Sequence, residues 1–198
     1  MSERFDQIKE FYQSDSTSAG VLRDLVSVAK ILIVFMILSQ IIFGTWAPMR
    51  AIESESMEPH MMVGDIVFIK DISRAEVVTQ EDGATSGYKT FGDYGNVILY
   101  RKYGRTDITP IIHRAMYYVE ANEPMWKGGP VAPHAGYITK GDHNKVIDQY
   151  ALCTVPIREE WVIGVARYRI PYAGYVRLAF SKVIEILTGK PQDQNRRT

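Results

Sequence analysis

An uncharged apolar segment near the start of the chain is the strongest feature of its hydrophobic pattern. Nineteen residues between Lys30 and Arg50, "ILIVFMILSQIIFGTWAPM", carry no charge, and Gln40 is the only strongly polar side chain among them. A helix of that length rises about 28 Å, close to the hydrocarbon thickness of a bilayer. Trp46 near its end suits a membrane interface, and Pro48 favours a helix stop. The pattern predicts a transmembrane helix over residues 31–49.

Two other interpretations fit this segment less well, a buried core helix and a cleaved signal peptide. A buried core helix is rarely apolar on every face for five turns. A cleaved signal peptide has a shorter apolar region and a small-x-small site after it, whereas thirty residues precede this run and no clean site follows. A retained anchor is therefore expected. Arg23 and Lys30 lie just before the segment and only Arg50 just after it, which favours a cytoplasmic N-terminus.

The rest of the chain shows short runs rich in Val, Ile and Tyr, separated by Gly, Pro, Asp and Asn. These runs are "DIVFIK" (65–70), "NVILYR" (96–101), "PIIHRAMYYVE" (110–120), "GYITKG" (136–141) and "WVIGVARYR" (161–169). Such runs are typical of strands, and no alternation of strands with helices is visible. The pattern predicts a mainly β, antiparallel domain over residues 50–173.

The segments outside this pattern complete the predicted organisation. Residues 1–30 form a polar N-terminal tail, and residues 71–93 form an exposed loop or hairpin excursion. Residues 174–198 form an amphipathic helix and a polar tail, because polar positions recur at i+4 within "GYVRLAFSKVIEILTG". That helix either packs on the β domain or lies on the membrane surface.

Composition removes several classes of function. The chain has 23 basic and 23 acidic residues, so it lacks the positive charge of a nucleic-acid-binding protein. The single cysteine, Cys153, cannot form an internal disulfide and is interpreted as a small buried hydrophobe. No metal-ligand motif such as H-E-x-x-H occurs, so no metal and no cofactor are expected.

Catalysis by a serine hydroxyl requires a base and a group that orients the base. The chain offers four histidines as the base, and they are His60, His113, His134 and His143. Spacing alone does not choose among them, and a serine, a histidine and an aspartate occur together in most chains of this length.

Five sequence segments, taken in order, resemble the conserved boxes of type I signal peptidases. "SESMEPHMMVGD" is similar to the nucleophile box, S-x-S-M-x-P followed by G-D, and it begins just after an apolar segment as in that family. The other segments are "GDYGNVILY", "HRAM", "YITKGDHNKVID" and "GVARYRIPYAGYV". The bacterial branch has a lysine where this chain has His113. The chain therefore resembles the archaeal and endoplasmic-reticulum branch, which uses serine, histidine and aspartate.

The resemblance implies a set of site residues. It makes Ser56 the nucleophile, His113 the general base and Asp148 the orienting acid, with Asp142 as a second important acid. Ser54 would be an oxyanion-hole donor beside the Ser56 N–H, while Met57 and Pro59 would shape the turn and the wall of the site. His143 stands where the family usually has Asn, and it would either keep an Asn-like hydrogen bond or perturb Asp142.

The resemblance also implies a function. The expected protein is a membrane-bound serine endopeptidase that cleaves signal peptides from secreted preproteins after small residues. It would span the cell membrane once, with the catalytic domain on the outer face. Its expected partners are preproteins, the lipid bilayer and the secretion translocon. The alternatives are a Ser–Lys autoprotease, disfavoured by His113, and a non-catalytic membrane-anchored subunit of a protein-processing complex.

Overall fold

The computed structural model describes residues 16–173, which fall into two units divided between Ala47 and Pro48. The predicted amphipathic helix over 174–198 and the first fifteen residues of the polar tail lie outside the described residues.

The first unit contains one long helix, α1 (Thr17–Phe43). Ser16 caps its start, because the Ser16 hydroxyl accepts a 3.3 Å hydrogen bond from the Ala19 N–H. Gly44 ends it in the left-handed conformation (φ 75°), and its N–H donates to the Gln40 carbonyl. The apolar part has a mean hydropathy of 2.4, so length and composition suffice for a membrane span.

The helix does not coincide with the predicted transmembrane segment, residues 31–49. The helix begins at Thr17, so it includes the charged residues before Ile31 that the sequence interpretation had assigned to the polar tail. Arg23 and Lys30 are good helix formers, so the helix extends through them back to the cap at Ser16. The helix ends at Phe43 because Gly44 reverses the backbone, and Met49 belongs to a strand.

The second unit is built on a six-stranded sheet in which every neighbouring pair is antiparallel, so the predicted fold class is confirmed. Its strands are β1 (Met49–Ala51), β2 (Ile66–Asp71), β5 (Val97–Tyr100), β6 (Ile111–Val119), β7 (Gly136–Lys140) and β8 (Val162–Ile170). They lie in the order β1-β2-β8-β5-β6-β7. The predicted runs match five of these strands to within about one residue at each end. The short β1 was missed, because its residues were assigned to the membrane span and to the segment that follows it.

Strand β5 is the centre of the core. All four of its residues are buried, because both faces of the sheet are covered at this point. Val97 and Leu99 pack into a cluster with Met57 and Met61, whereas Ile98 and Tyr100 pack into a second cluster on the other face. Buried Cys153 belongs to the second cluster, as the sequence analysis expected. The turn that carries Ser56 is thus anchored on the core through Met57.

The excursion after β2 contains a helix that the sequence analysis missed. Helix α2 (Gln80–Ser86) is followed by a small hairpin of β3 (Lys89–Thr90) and β4 (Asp93–Tyr94). Thr79 caps α2: its hydroxyl accepts from the Asp82 N–H at 3.2 Å and donates to the Asp82 carboxylate at 2.6 Å. The helix is too short for a hydrophobic period to be recognised in the sequence. Of the loop or hairpin predicted over residues 71–93, the structure therefore contains the hairpin and, in addition, this helix.

Candidate active site

Ser56 lies in a 3₁₀ turn (Glu55–Met57) between β1 and β2. Met57 fixes this turn from below, since its side chain is fully buried in the core cluster. Ser54 and Pro59 are exposed at the surface on either side of the turn. Ser56 itself is half-buried. Its backbone is held by the turn, while its side chain is still reached by solvent.

His113 connects this hydroxyl to a buried acid. Strand β6 carries His113, and its Nε2 lies 2.9 Å from the Ser56 Oγ. Its Nδ1 lies 2.7 Å from the Asp148 Oδ2. His113 is 4% exposed and Asp148 is 3% exposed. Three residues separated by 57 and 35 positions in the sequence therefore form one continuous hydrogen-bond chain.

Two neutral donors complete the surroundings of Asp148. The Tyr100 hydroxyl donates to the Asp148 Oδ2 at 2.9 Å, and the Thr139 hydroxyl donates to the same oxygen at 2.6 Å. Burial alone would raise the pKa of Asp148. The hydrogen bond and charge of His113, with the bonds from Thr139 and Tyr100, outweigh burial, so the pKa lies below its ordinary value. Burial and the nearby Asp148 charge raise the pKa of Tyr100 well above its ordinary value, so it remains a donor.

These contacts fix the hydrogen positions along the chain. Ionised Asp148 can only accept, so the His113 Nδ1 carries a proton, and in the neutral imidazole Nε2 then presents its lone pair to the Ser56 hydroxyl. Ser56 donates to His113, so Ser54 is the donor in the 3.2 Å bond between the two serine hydroxyls. The arrangement is that of a serine hydroxyl beside an imidazole that a carboxylate orients, which is the geometry that general-base chemistry requires.

Asp142 lies in a separate cluster. Arg114 donates to its two oxygens in parallel, from Nε at 2.8 Å and from one terminal nitrogen at 2.7 Å. The His60 Nδ1 lies 2.7 Å from the Asp142 Oδ2. The structure thus brings Asp148 to His113, whereas it places Asp142 with Arg114 and His60.

The segment after β7 also holds the turn that carries Ser56, through a backbone hydrogen bond. The His143 N–H donates to the Ser56 carbonyl at 3.0 Å, while the His143 side chain is exposed. Gly141 lies so close that a Cβ built on it would be 2.5 Å from the Ser56 carbonyl oxygen and 2.9 Å from the His113 Nε2. The contact that His143 makes at the site is therefore one that any residue except proline could supply.

Tyr100 and Thr139 were not predicted to belong to this region, and His60 was named only as one of four candidate bases, not as a partner of Asp142. Thr139 lies in the segment "YITKGDHNKVID", and Tyr100 lies in the predicted strand over residues 96–101. These positions gave no reason to assign either residue to Asp148. His134, another candidate base, lies against Trp161, with ring centroids 5.5 Å apart. Within residues 16–173, no three His, Cys, Asp or Glu side chains gather as metal ligands.

Known proteins similar to this chain were found among curated sequences, although no family model matches it. The signal peptidase complex catalytic subunit sec11 of Schizosaccharomyces pombe is 29% identical over 140 residues, which are 67% of this chain and 66% of that protein. Sec11 of Aspergillus terreus is 30% identical over 149 residues, covering 70% of this chain and 68% of the relative. SEC11C of Homo sapiens is 28% identical over 140 residues, covering 70% and 59%. The chain spans about two thirds of the length of such relatives.

Proposed function

The chain belongs to the family of signal peptidase complex catalytic subunits, and from this premise we propose that it is a serine endopeptidase that removes signal peptides from preproteins. One observation carries the proposal. The Ser56 Oγ, the His113 ring and the Asp148 carboxylate form a hydrogen-bond chain with links of 2.9 and 2.7 Å. An inactive subunit of the same fold would have no need of a buried, oriented imidazole beside a surface serine.

The proposed acylation step starts with Ser56. Its oxygen attacks the scissile carbonyl carbon while the His113 Nε2 accepts the hydroxyl proton. Asp148 stabilises the imidazolium that forms. His113 then gives the proton to the leaving amine as the peptide bond breaks, which leaves the signal peptide esterified to Ser56. In the second half, water attacks this ester and its proton passes through His113 back to Ser56.

The negative charge that develops on the carbonyl oxygen needs donors at the surface of the nucleophile turn. The Ser56 N–H and the Ser54 hydroxyl are the proposed donors, because Ser54 already lies 3.2 Å from the attacking oxygen. Loss of one such donor typically lowers the rate about 100- to 1,000-fold. Met57 supports this turn from the core, and exposed Pro59 is free to border the substrate.

Helix α1 provides the proposed membrane anchor. Its apolar part is long enough to cross a bilayer, and β1 begins at Met49, a few residues after the helix ends at Phe43. We place the N-terminus in the cytoplasm and the catalytic unit on the outer face of the cell membrane. Preproteins emerging there from the secretion translocon are the proposed substrates, cut after small side chains.

The test is cleavage of a preprotein by the full-length protein purified in detergent. Variants Ser56→Ala and His113→Ala should abolish cleavage, and His134→Ala serves as the matched control, because His134 contacts Trp161 and lies outside the hydrogen-bond chain. Cleavage after a small residue, lost in the first two variants only, is the expected result. Cleavage that survives His113→Ala would contradict the proposed base. If the folded wild type cuts nothing alone, a crude membrane extract is added to supply possible partner subunits. Absence of cleavage in that mixture as well would favour the non-catalytic alternative.

A further inference from the structure

His60 lies four positions after the proposed nucleophile and takes no part in the steps described above. Its backbone belongs to the nucleophile turn, since its N–H donates to the Met57 carbonyl at 3.0 Å. Its carbonyl accepts a 2.7 Å bond from Arg169 on β8. Its side chain leaves the turn and reaches Asp142, 82 positions away in the sequence. The imidazole thus links the turn that carries Ser56 to the segment after β7.

The acceptor of this link is held firmly. Asp142 receives two parallel bonds from Arg114, whose side chain is 1% exposed, and the Asp142 side chain is 5% exposed. The remaining terminal nitrogen of Arg114 lies within hydrogen-bond distance of four backbone carbonyls between residues 90 and 95. A carboxylate paired with a guanidinium only accepts hydrogen bonds, so the His60 Nδ1 must be the donor.

Gly92, in the turn between β3 and β4, also covers one side of the His60 ring. A Cβ built on Gly92 would lie 2.7 Å from the His60 Cδ2 and 2.9 Å from its Nε2. Gly92 has a φ of +83°, a conformation that favours glycine on its own account. The side chain of His60 is 28% exposed, so one edge meets solvent while the rest is fixed by Asp142 and Gly92.

We propose that His60 is a positioning residue that holds the nucleophile turn in register with His113. Within residues 16–173, two hydrogen bonds join this turn to the segment after β7: the backbone bond from His143 to the Ser56 carbonyl, and the His60–Asp142 bond. The first fixes the carbonyl of Ser56, and the second fixes the end of the turn. Loss of the second lets the turn pivot about the first, which lengthens the 2.9 Å distance from the Ser56 Oγ to the His113 Nε2. The role in catalysis rests on the proposed function.

The kinetic test compares His60→Ala and His60→Asn in the full-length protein, with His134→Ala as control. The Asn amide can donate from about the position of the imidazole Nδ1, so it restores the bond without the ring. Because displacements of about 1 Å can cost about 100-fold in rate, we expect His60→Ala to lower kcat about 10- to 100-fold. KM should change less than about threefold, and His60→Asn should recover most of kcat. An unchanged kcat in His60→Ala, or equal loss in both variants, would overturn the inference.

A second measurement does not depend on activity. Hydrogen–deuterium exchange of the backbone amides in residues 55–63 should be faster in His60→Ala and return toward the wild-type rate in His60→Asn. Unchanged exchange in His60→Ala would overturn the inference even if the protein cut no preprotein. If the wild type fails to cleave even with the extract added, while the exchange behaves as expected, the proposed function fails and the structural link survives.

Discussion

Replacement of Asp148 by Asn tests the assignment of the orienting acid most directly. The Asp148 Oδ2 accepts bonds from the His113 Nδ1 at 2.7 Å, Tyr100 at 2.9 Å and Thr139 at 2.6 Å. Asn has nearly the same size, so the fold should remain. What disappears is the negative charge that stabilises the His113 imidazolium in the transition state.

The size of this effect follows from the distance. A unit charge about 4 Å from the imidazolium centre contributes about 4 kcal/mol at an effective dielectric constant of about 20. Since each 1.36 kcal/mol corresponds to about tenfold in rate, loss of the charge lowers kcat about 1,000-fold. If the Asn amide nitrogen faces His113, the imidazole must adopt the wrong tautomer, and in serine proteases that change costs about 10,000-fold. We therefore expect a loss between these values with little change in KM, because buried Asp148 does not reach the substrate.

The assay is steady-state cleavage of a preprotein in detergent, with the unfolding midpoint of each variant measured beside it. Asp107→Asn is the matched control, since Asp107 pairs with Arg105 on the surface and is 63% exposed. Asp142→Asn should unfold more easily, because it leaves the buried charge of Arg114 without its partner. A wild-type rate in Asp148→Asn, together with an inactive but folded Asp142→Asn, would refute the assignment.

Three further predictions follow from the same geometry. Gly141→Ala should lower kcat about 100-fold or more, because the added Cβ would crowd the Ser56 carbonyl and the His113 Nε2. Gly20→Ala is the control and should leave cleavage unchanged, because within residues 16–173 only its own helix backbone and chain neighbours lie within 4 Å of a Cβ built on Gly20. Tyr100→Phe should reduce kcat about 3- to 30-fold and destabilise the fold by about 1 kcal/mol, as measured by cleavage and by denaturant unfolding, because one donor to Asp148 is lost; a wild-type value in both assays would contradict this. The pKa of Asp148 is lower in the folded than in the unfolded protein, so its ionisation stabilises the fold at pH values above the unfolded pKa of about 3.9. This contribution disappears as the pH falls through the lower pKa of the folded protein. Unfolding midpoints measured between about pH 2 and 7 should therefore depend less on pH in Asp148→Asn than in the wild type.

Much of the fold was predictable because the local composition of most strands in this domain is typical of β-structure. Runs of Val, Ile and Tyr bounded by turn residues gave five strands nearly to the residue. The errors arose where stability does not depend on local composition. Helix α1 continues through charged residues because Ser16 caps it earlier, and β1 forms because Met49–Ala51 pairs with β2, a contact that short segments do not reveal.

The candidate site was predictable to a different degree. The resemblance selected Ser56, His113 and Asp148, and the structure places these three side chains in one hydrogen-bond chain. Their catalytic roles stay a prediction. No sequence pattern indicated that Tyr100 and His60 would meet the two acids, because these contacts join residues 48 and 82 positions apart and depend on how the strands are ordered in the sheet.

The two acids illustrate why spacing alone could not assign their roles. Both follow β7 within one sequence box, and both lie at a histidine nitrogen, Asp142 at His60 and Asp148 at His113. Asp142 is paired with the permanent charge of Arg114, so its field is already neutralised and a further proton on a nearby imidazole would gain little from it. Asp148 receives neutral hydroxyl donors besides His113, and hydroxyls stabilise a carboxylate without cancelling its charge. Its full charge therefore remains for the imidazolium that the proposed reaction creates. The electrostatic partner of each acid, rather than its distance from Ser56 in the sequence, decides which of them can support a general base.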